Sequence, residues 1–270
     1  MTTATRENTS EVGRLLRDWR QRRRVSQLEL ALRADSSARH ISFVETGRSR
    51  PSEEFVLRLA DHLDVPMRER NALLLAAGYA PRYPQTSLDD PALGPLREGL
   101  ERLLRGYEPY PALIVDATYD VVAANRGLTL LMGSLPEHLL APPFNAMRLT
   151  LHPEGLAPRI RNLRAWRGHL LHQMERQVAL SRSEPLRRLY DEVAAFPVPD
   201  EDDAALLDDE GAVAHFALPL VIEHDGHVLS FVSSISTFNT PMDVTVAELA
   251  VETLLPADPA TAKYLRSALG

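Results

Sequence analysis

Residues 26–52 read SQLELALRADSSARHISFVETGRSRPS. Ser26 with Glu29 three positions on is the capping-box signature of a helix start, and the polar pair Asp35-Ser36 breaks the helix after Ala34. Ser37 then opens a second short helix, Ala38 to Thr46, which Gly47 ends. A 3.6-residue period buries Leu28, Ala31 and Leu32 on the first helix and Ile41 and Val44 on the second, leaving Arg39, His40 and Phe43 facing outward. Two short helices joined by so brief a turn are the ingredients of a helix-turn-helix DNA reader.

Working outward, Val12, Leu15, Leu16 and Trp19 form a helical stripe before this pair, on a helix whose other face carries Arg14, Arg17 and Arg20. After it, Ser52 caps a helix burying Phe55, Val56, Leu59 and Leu63, and Pro66 opens another that closes at Gly78. Residues 10–78 are therefore expected to be an all-α, five-helix domain. Charge supports a polyanionic partner there: residues 1–80 hold 14 Arg against 11 acids, whereas residues 201–270 hold 2 basic residues against 12 acids.

The run Ser26-Gln27-Leu28-Glu29-Leu30-Ala31, then Ile41-Ser42, Glu45, Gly47 and Pro51-Ser52, resembles the phage-repressor-like XRE family of helix-turn-helix regulators. Asp35 stands where that family usually has Gly, and Asp tolerates a left-handed turn. Ser36 stands where it has an apolar residue. The resemblance implies that Gln27 holds a phosphate, that Ser37, Ala38, Arg39, His40 and Phe43 lie nearest the bases of double-stranded operator DNA, and that Arg48 and Arg50 face phosphates. It also implies a structural pair between Glu45 and Arg20. One helix-turn-helix reads half a site, so a homodimer is expected.

Residues 79–91 contain three prolines and no periodic pattern, and read as a linker to a second domain, 92–270. A helix is expected from Ala92 to about Arg105, then a hairpin of Ala112–Val115 and Val121–Ala124, then a helix led by Asn125. Two apolar stripes follow, Ile160 to Val178 and Leu186 to Val193, then an acidic loop from Pro199 to Gly211. In FALPLVIEHDGHVLSFVSSI, residues 216–235, Asp225-Gly226 marks a two-residue hairpin. That register pairs Ile222 with Leu229, Leu220 with Phe231, Leu218 with Ser233 and Phe216 with Ile235, an apolar face broken by one hydroxyl. Pro219 lacks a ladder donor, so its strand is expected at a sheet edge. Residues 245–254 read as a third strand or a helix, and Asp258-Pro259 caps a last helix.

An initial hairpin, a helical crossover and a final meander match a PAS-like, α+β fold: a five-stranded antiparallel sheet with helices on one side. NAMRLTLHPEGL followed by IRNLRAW, and STFNTPMDVTVAELAVETLLPADPATAKYLR near the end, resemble the ligand-binding domain of MmyB-like transcription regulators. The resemblance implies a bacterial one-component regulator whose pocket admits a small apolar molecule, fatty-acid-like in part of the family. Candidate lining residues are Phe216, Leu218, Leu220, Phe231, Ser233 and Ile235 of the hairpin face, with Phe144 and Trp166.

Other chemistry finds little footing. There is no Cys, hence no disulfide, thiolate nucleophile or Cys-bound metal. No GxSxG, Walker, GxGxxG or HExxH motif occurs, so no enzyme, cofactor or metal site is expected. His169 and His172 share a helix without an evident third ligand, His224 and His227 flank the hairpin turn and are expected to be exposed, and Asp208-Asp209-Glu210 is a charge run. No apolar segment is long enough to span a membrane and the N-terminal segment lacks an apolar core, so a cytoplasmic location is expected. A ligand-independent repressor whose second domain only dimerises, and a catalytic second domain, remain the alternatives.

Overall fold

The structure is a computed structural model that describes residues 3–133, 135–198 and 216–270. No helix among them is long and apolar enough to cross a membrane. The chain divides into two compact units, one running to Thr86 and including Pro241–Ala247, the other comprising Ser87–Thr240 and Glu248–Gly270.

The first unit begins with α1 (Thr3–Arg22), α2 (Gln27–Arg33), α3 (Ala38–Glu45), α4 (Glu53–His62) and α5 (Met67–Ala76). Three serines start three of these helices: Ser26, Ser37 and Ser52 accept from the backbone N–H groups of Glu29, His40 and Phe55. Such caps are worth about 1 kcal/mol each. Asp35 closes the α2–α3 turn at φ +49°, and Gly47 and Gly78 end α3 and α5 at φ +71° and +79°. Val12, Leu16, Trp19, Ile41, Val44 and Leu59 form the core. At Gly13 a Cβ would lie 2.3 Å from the Val44 carbonyl oxygen, so the glycine lets α1 meet the end of α3.

The expected buried face of α2 is corrected. Leu30 and Ala31 are buried, whereas Leu28 and Leu32 are 62% and 74% exposed. Leucines at alternate positions from Leu28 to Leu32 fit two faces of a helix, and the one that includes Ala34 packs inward.

The expected linker is partly folded onto this unit. Asn71 on α5 accepts from the N–H groups of Arg82 and Tyr83 and donates to the Tyr83 carbonyl. Thr86 donates through its N–H (3.0 Å) and hydroxyl (2.6 Å) to Asp243, whose other oxygen accepts from Thr245 N–H. Val244 N–H donates to the Pro84 carbonyl. Residues 241–247 thus belong to the first unit although they connect two strands of the second.

The second unit opens with a 3-10 turn, Pro91–Leu93, and continues through α6 (Gly94–Tyr107), β1 (Ala112–Val115), β2 (Val121–Ala124), α7 (Arg126–Met132), α8 (Glu137–Leu140), α9 (Ala146–Leu151), a second 3-10 turn (Ala157–Arg159), α10 (Leu163–Ser181) and α11 (Glu184–Ala194). After β3 (Leu220–His224) and β4 (His227–Thr237), a short α12 (Val244–Ala247) precedes β5 (Ala250–Pro256) and α13 (Pro259–Leu269). The open alternative at 245–254 resolves as both, a helical turn and then a strand. The five strands form one antiparallel sheet in the order β2-β1-β5-β4-β3, the PAS-like order with β3 at an edge. The acidic loop, with Asp208-Asp209-Glu210, lies outside the described residues.

The hairpin keeps its expected register at Leu220 with Phe231 and Ile222 with Leu229, turning at Asp225 (φ +47°) and Gly226 (φ +75°). It stops short of the expectation. Leu218 does not pair with Ser233, nor Phe216 with Ile235; β4 runs on instead beside β5, with Ser233 opposite Leu254 and Ile235 opposite Glu252. Pro219 gives the cause: it has no N–H, and the Asn162 amide takes the Pro219 carbonyl and the Val221 N–H on the strand's outer side. Leu113, Val115, Leu220, Phe231 and Leu254 face the layer of α7, α9, α10 and α11. One helix departs from the one-sided expectation: α6 covers the opposite face, with Leu100 and Leu104 against Ala112, Ile114 and Val251.

Candidate DNA-binding and ligand-binding sites

The helix-turn-helix is locked by one charged cluster. Glu45, at the end of α3, accepts from Arg20 Nε (2.6 Å) and NH2 (2.9 Å) and from Gln27 Nε2 (2.8 Å), while Arg20 NH1 donates to the Val25 carbonyl. The expected Arg20–Glu45 pair is present, with side chains 11% and 3% exposed. Gln27, expected on a phosphate, donates one of its two amide N–H groups to Glu45 and so ties α2 to α3.

Ser37 and Arg39 are exposed at the start of α3, and Ala38 is partly buried against the core. Two guanidinium groups lie over the Phe43 ring, Arg39 at 5.2 Å and Arg48 at 5.9 Å from its centroid. This stacking holds both arginines beside the outward face of α3. His40 packs its ring on Phe55 at 4.9 Å. Arg50, also expected on a phosphate, is held at the end of α5. Its Nε and NH2 donate to the Ala77 carbonyl at the end of α5, and its guanidinium lies 5.2 Å from the Tyr79 ring.

The second unit holds a cavity of about 60 Å³ between the sheet and α7, α9 and α10. Leu113, Leu128, Met132, Met147, Trp166, Leu170 and Leu220 line it, together with one ionisable side chain, Glu252. Of the sequence candidates, Trp166 and Leu220 are in the lining. Phe231 is fully buried in the adjoining core, with Phe144 and Leu218 packed against that core. Phe216, at 90% exposure, and Ile235, at 46%, lie on the surface, because the strand that was to cover them stops at Leu220. Ser233 reaches the site through Glu252: its hydroxyl donates to Glu252 Oε1 at 2.7 Å.

Glu252 was missed by the sequence reading. A single acid in VETLLP, within a stretch open to both helix and strand, gives no signal of facing inward; the alternation that places it there exists only once β5 is known. Burial pushes its carboxyl above the usual range, against the pull of the Ser233 hydrogen bond. Tyr119, buried nearby, is pushed up to about 12 by its own burial and by the Glu252 charge, and donates to Gln177.

Two further clusters differ from expectation. His224 is buried rather than exposed: Arg159 NH2 lies 2.7 Å from its Nδ1 and Tyr264 of α13 packs on its ring, and burial lowers its pKa. His138, His152 and Glu154 bring ligand atoms within 4.8 Å of one another. The Glu154 N–H donates to His152 Nδ1, which places the proton of the neutral ring on Nε2 and disfavours coordination there.

A helix-turn-helix unit joined to a PAS-like unit with an apolar cavity defines a transcription regulator. Residues 11–73 match the helix-turn-helix domain family, and residues 96–268 match the MmyB-like transcription regulator ligand binding domain. The second match spans well over half of the chain, which belongs to that family. No curated protein matches the chain. Among solved structures, the clp gene regulator ClgR from Corynebacterium glutamicum is 24% identical over 38% of this chain and 95% of its own, with a TM-score of 0.24. An RNA-binding Light-Oxygen-Voltage receptor is 15% identical over 96% of this chain and 61% of its own, with a TM-score of 0.28. TM-scores this low carry no argument about function.

Proposed function

We propose that the chain is a cytoplasmic, bacterial one-component regulator that binds operator DNA as a homodimer through residues 10–78. In this reading it senses a small apolar molecule, fatty-acid-like in its hydrocarbon part, within residues 92–270. One observation carries the proposal. The connection between β4 and β5, the strands bearing Ser233 and Glu252, is folded into the DNA-binding unit through Asp243 and Thr86. Movement of those strands on filling the cavity is thereby transmitted along the chain to α5 without a separate signalling partner.

A second reading, a ligand-independent repressor, is favoured by the size of the cavity. At about 60 Å³ the cavity is well below the roughly 300–1,000 Å³ of ordinary ligand pockets. The lining answers this in part, since Met132, Met147 and the surrounding leucines repack at low cost. Native mass spectrometry of the purified full chain separates the two. A dimer carrying a small apolar molecule supports sensing, whereas a ligand-free dimer whose thermal stability ignores every alkyl compound tested supports the second reading.

A further inference from the structure

We infer that the far half of β4, Ser233 to Thr237, is a homodimer interface: it pairs antiparallel with the same strand of a second copy about a two-fold axis at Ile235, joining two five-stranded sheets. The inference rests on the reading of the chain as a homodimeric regulator, and it names the surface through which the two copies meet.

A sheet edge presents backbone N–H and C=O groups that only another strand or a covering segment can pair. Two edges of this sheet are already covered. Outside β3, Arg161 N–H donates to the Val221 carbonyl, Asn162 Oδ1 accepts from Val221 N–H, and Arg159 Nε donates to the Glu223 carbonyl. Outside β2, the Phe144 carbonyl accepts from Val121 N–H. β4 outruns β3, whose pairing ends with Leu220 opposite Phe231. The two-residue turn makes Ile222–Leu229 and Leu220–Phe231 hydrogen-bonded pairs, so alternation points the backbone groups of Ser233, Ile235 and Thr237 to that same side, past the end of β3. β5 takes the other side of β4. Ser234 to Thr237 are exposed, and no described residue pairs with the open side.

Three features select a second copy as the occupant. An edge that stays in water is ordinarily blunted by a Lys, a Pro or a bulge, whereas residues 233–237 read SSIST and keep an unbroken register against β5. A strand that meets itself must also avoid like charges across the axis, and this one carries none. The register closes on itself as well. With Ile235 on the axis, Ser233 faces the partner's Thr237, and the three outward-pointing positions of each copy exchange about six hydrogen bonds. Ile235, 46% exposed, is then covered by its own counterpart, and Ser234 lies opposite the partner's Ser236 on the other face. A foreign strand would require none of this self-matching.

The test exploits the absence of cysteine from the chain. Across the axis the two Cα atoms of residue 235 would lie about 5.5 Å apart, within the span of a disulfide. In the full chain under mild oxidation, Ile235→Cys should therefore form a disulfide-linked dimer about tenfold or more faster than Val228→Cys, an exposed position of the same strand that the proposed register leaves unpaired. Ile235→Pro removes an outward-pointing N–H and spares the bonds to β5. In sedimentation equilibrium it should raise the dissociation constant of the dimer about tenfold or more, with the circular dichroism unchanged. Equal cross-linking of the two cysteine variants, or a folded proline variant that dimerises as tightly as the natural chain, overturns the strand pairing and leaves the homodimer reading standing. A natural chain that is monomeric at every concentration overturns both.

Discussion

Removing the Glu45 carboxylate should unlock the DNA-binding unit. Glu45 receives three hydrogen bonds, two from Arg20 and one from Gln27, and the Arg20 and Glu45 side chains are 11% and 3% exposed. In Glu45→Ala the Arg20 guanidinium keeps its bond to the Val25 carbonyl but is otherwise a buried charge without a counter-ion. Breaking one partner of a buried pair costs about 3–5 kcal/mol, a large share of the roughly 5–15 kcal/mol that holds a small domain. Amide hydrogen exchange followed by mass spectrometry reads this locally. Exchange of the core amides of α1 and α3 should accelerate by about two to three and a half orders of magnitude, at about 1.4 kcal/mol per factor of ten, while β4 and β5 change little. The double variant Arg20→Met/Glu45→Leu should recover most of the protection, because it removes both charges and leaves none stranded. An acceleration below about tenfold in Glu45→Ala, or a double variant no better than the single, would refute the argument that this cluster locks α1, α2 and α3 together.

Arg39→Ala should cost roughly 1–3 kcal/mol on the preferred operator and less on random DNA, whereas equal losses on both would reduce Arg39 to a positioning contact. Arg48→Ala should weaken both DNAs alike and lower the salt slope by about one phosphate, while Arg50→Ala, which loses the bonds to Ala77, should lower the melting temperature and leave that slope unchanged. A slope altered by Arg50→Ala instead would return that residue to the DNA contacts. Folded Glu252 titrates above its unfolded value, so the folded chain holds the extra proton and stability falls as pH rises from the unfolded carboxylate range through the folded value. Glu252→Gln should therefore raise the melting temperature at about pH 7.5 and leave it nearly unchanged at about pH 3.5; an equal gain at both would remove the buried charge as its cause.

Short-range chemistry made much of this fold legible. Ser26, Ser37 and Ser52 cap the expected helices, Asp35 and Gly47 take the expected left-handed turns, and Asp225-Gly226 sets the register of its hairpin. The misses share one physical cause: their partners are distant in sequence. His224 looks like a turn residue until α13 covers it. The face of α2 was ambiguous because leucines and alanines satisfy two stripes at once, and only packing against the rest of the unit selects Leu30 and Ala31. Asp243 shows the same limit most strongly, as its partner Thr86 is 157 residues away in a segment that reads as a plain linker.

The measurement closest to the central claim is the affinity of the full chain for an operator selected from random DNA, taken with and without saturating ligand. Ligand-linked regulation predicts a change of about 5- to 150-fold, the span of typical coupling free energies, and Asp243→Ala should abolish most of that change while ligand binding persists. An operator affinity that is the same with and without bound ligand would contradict the account.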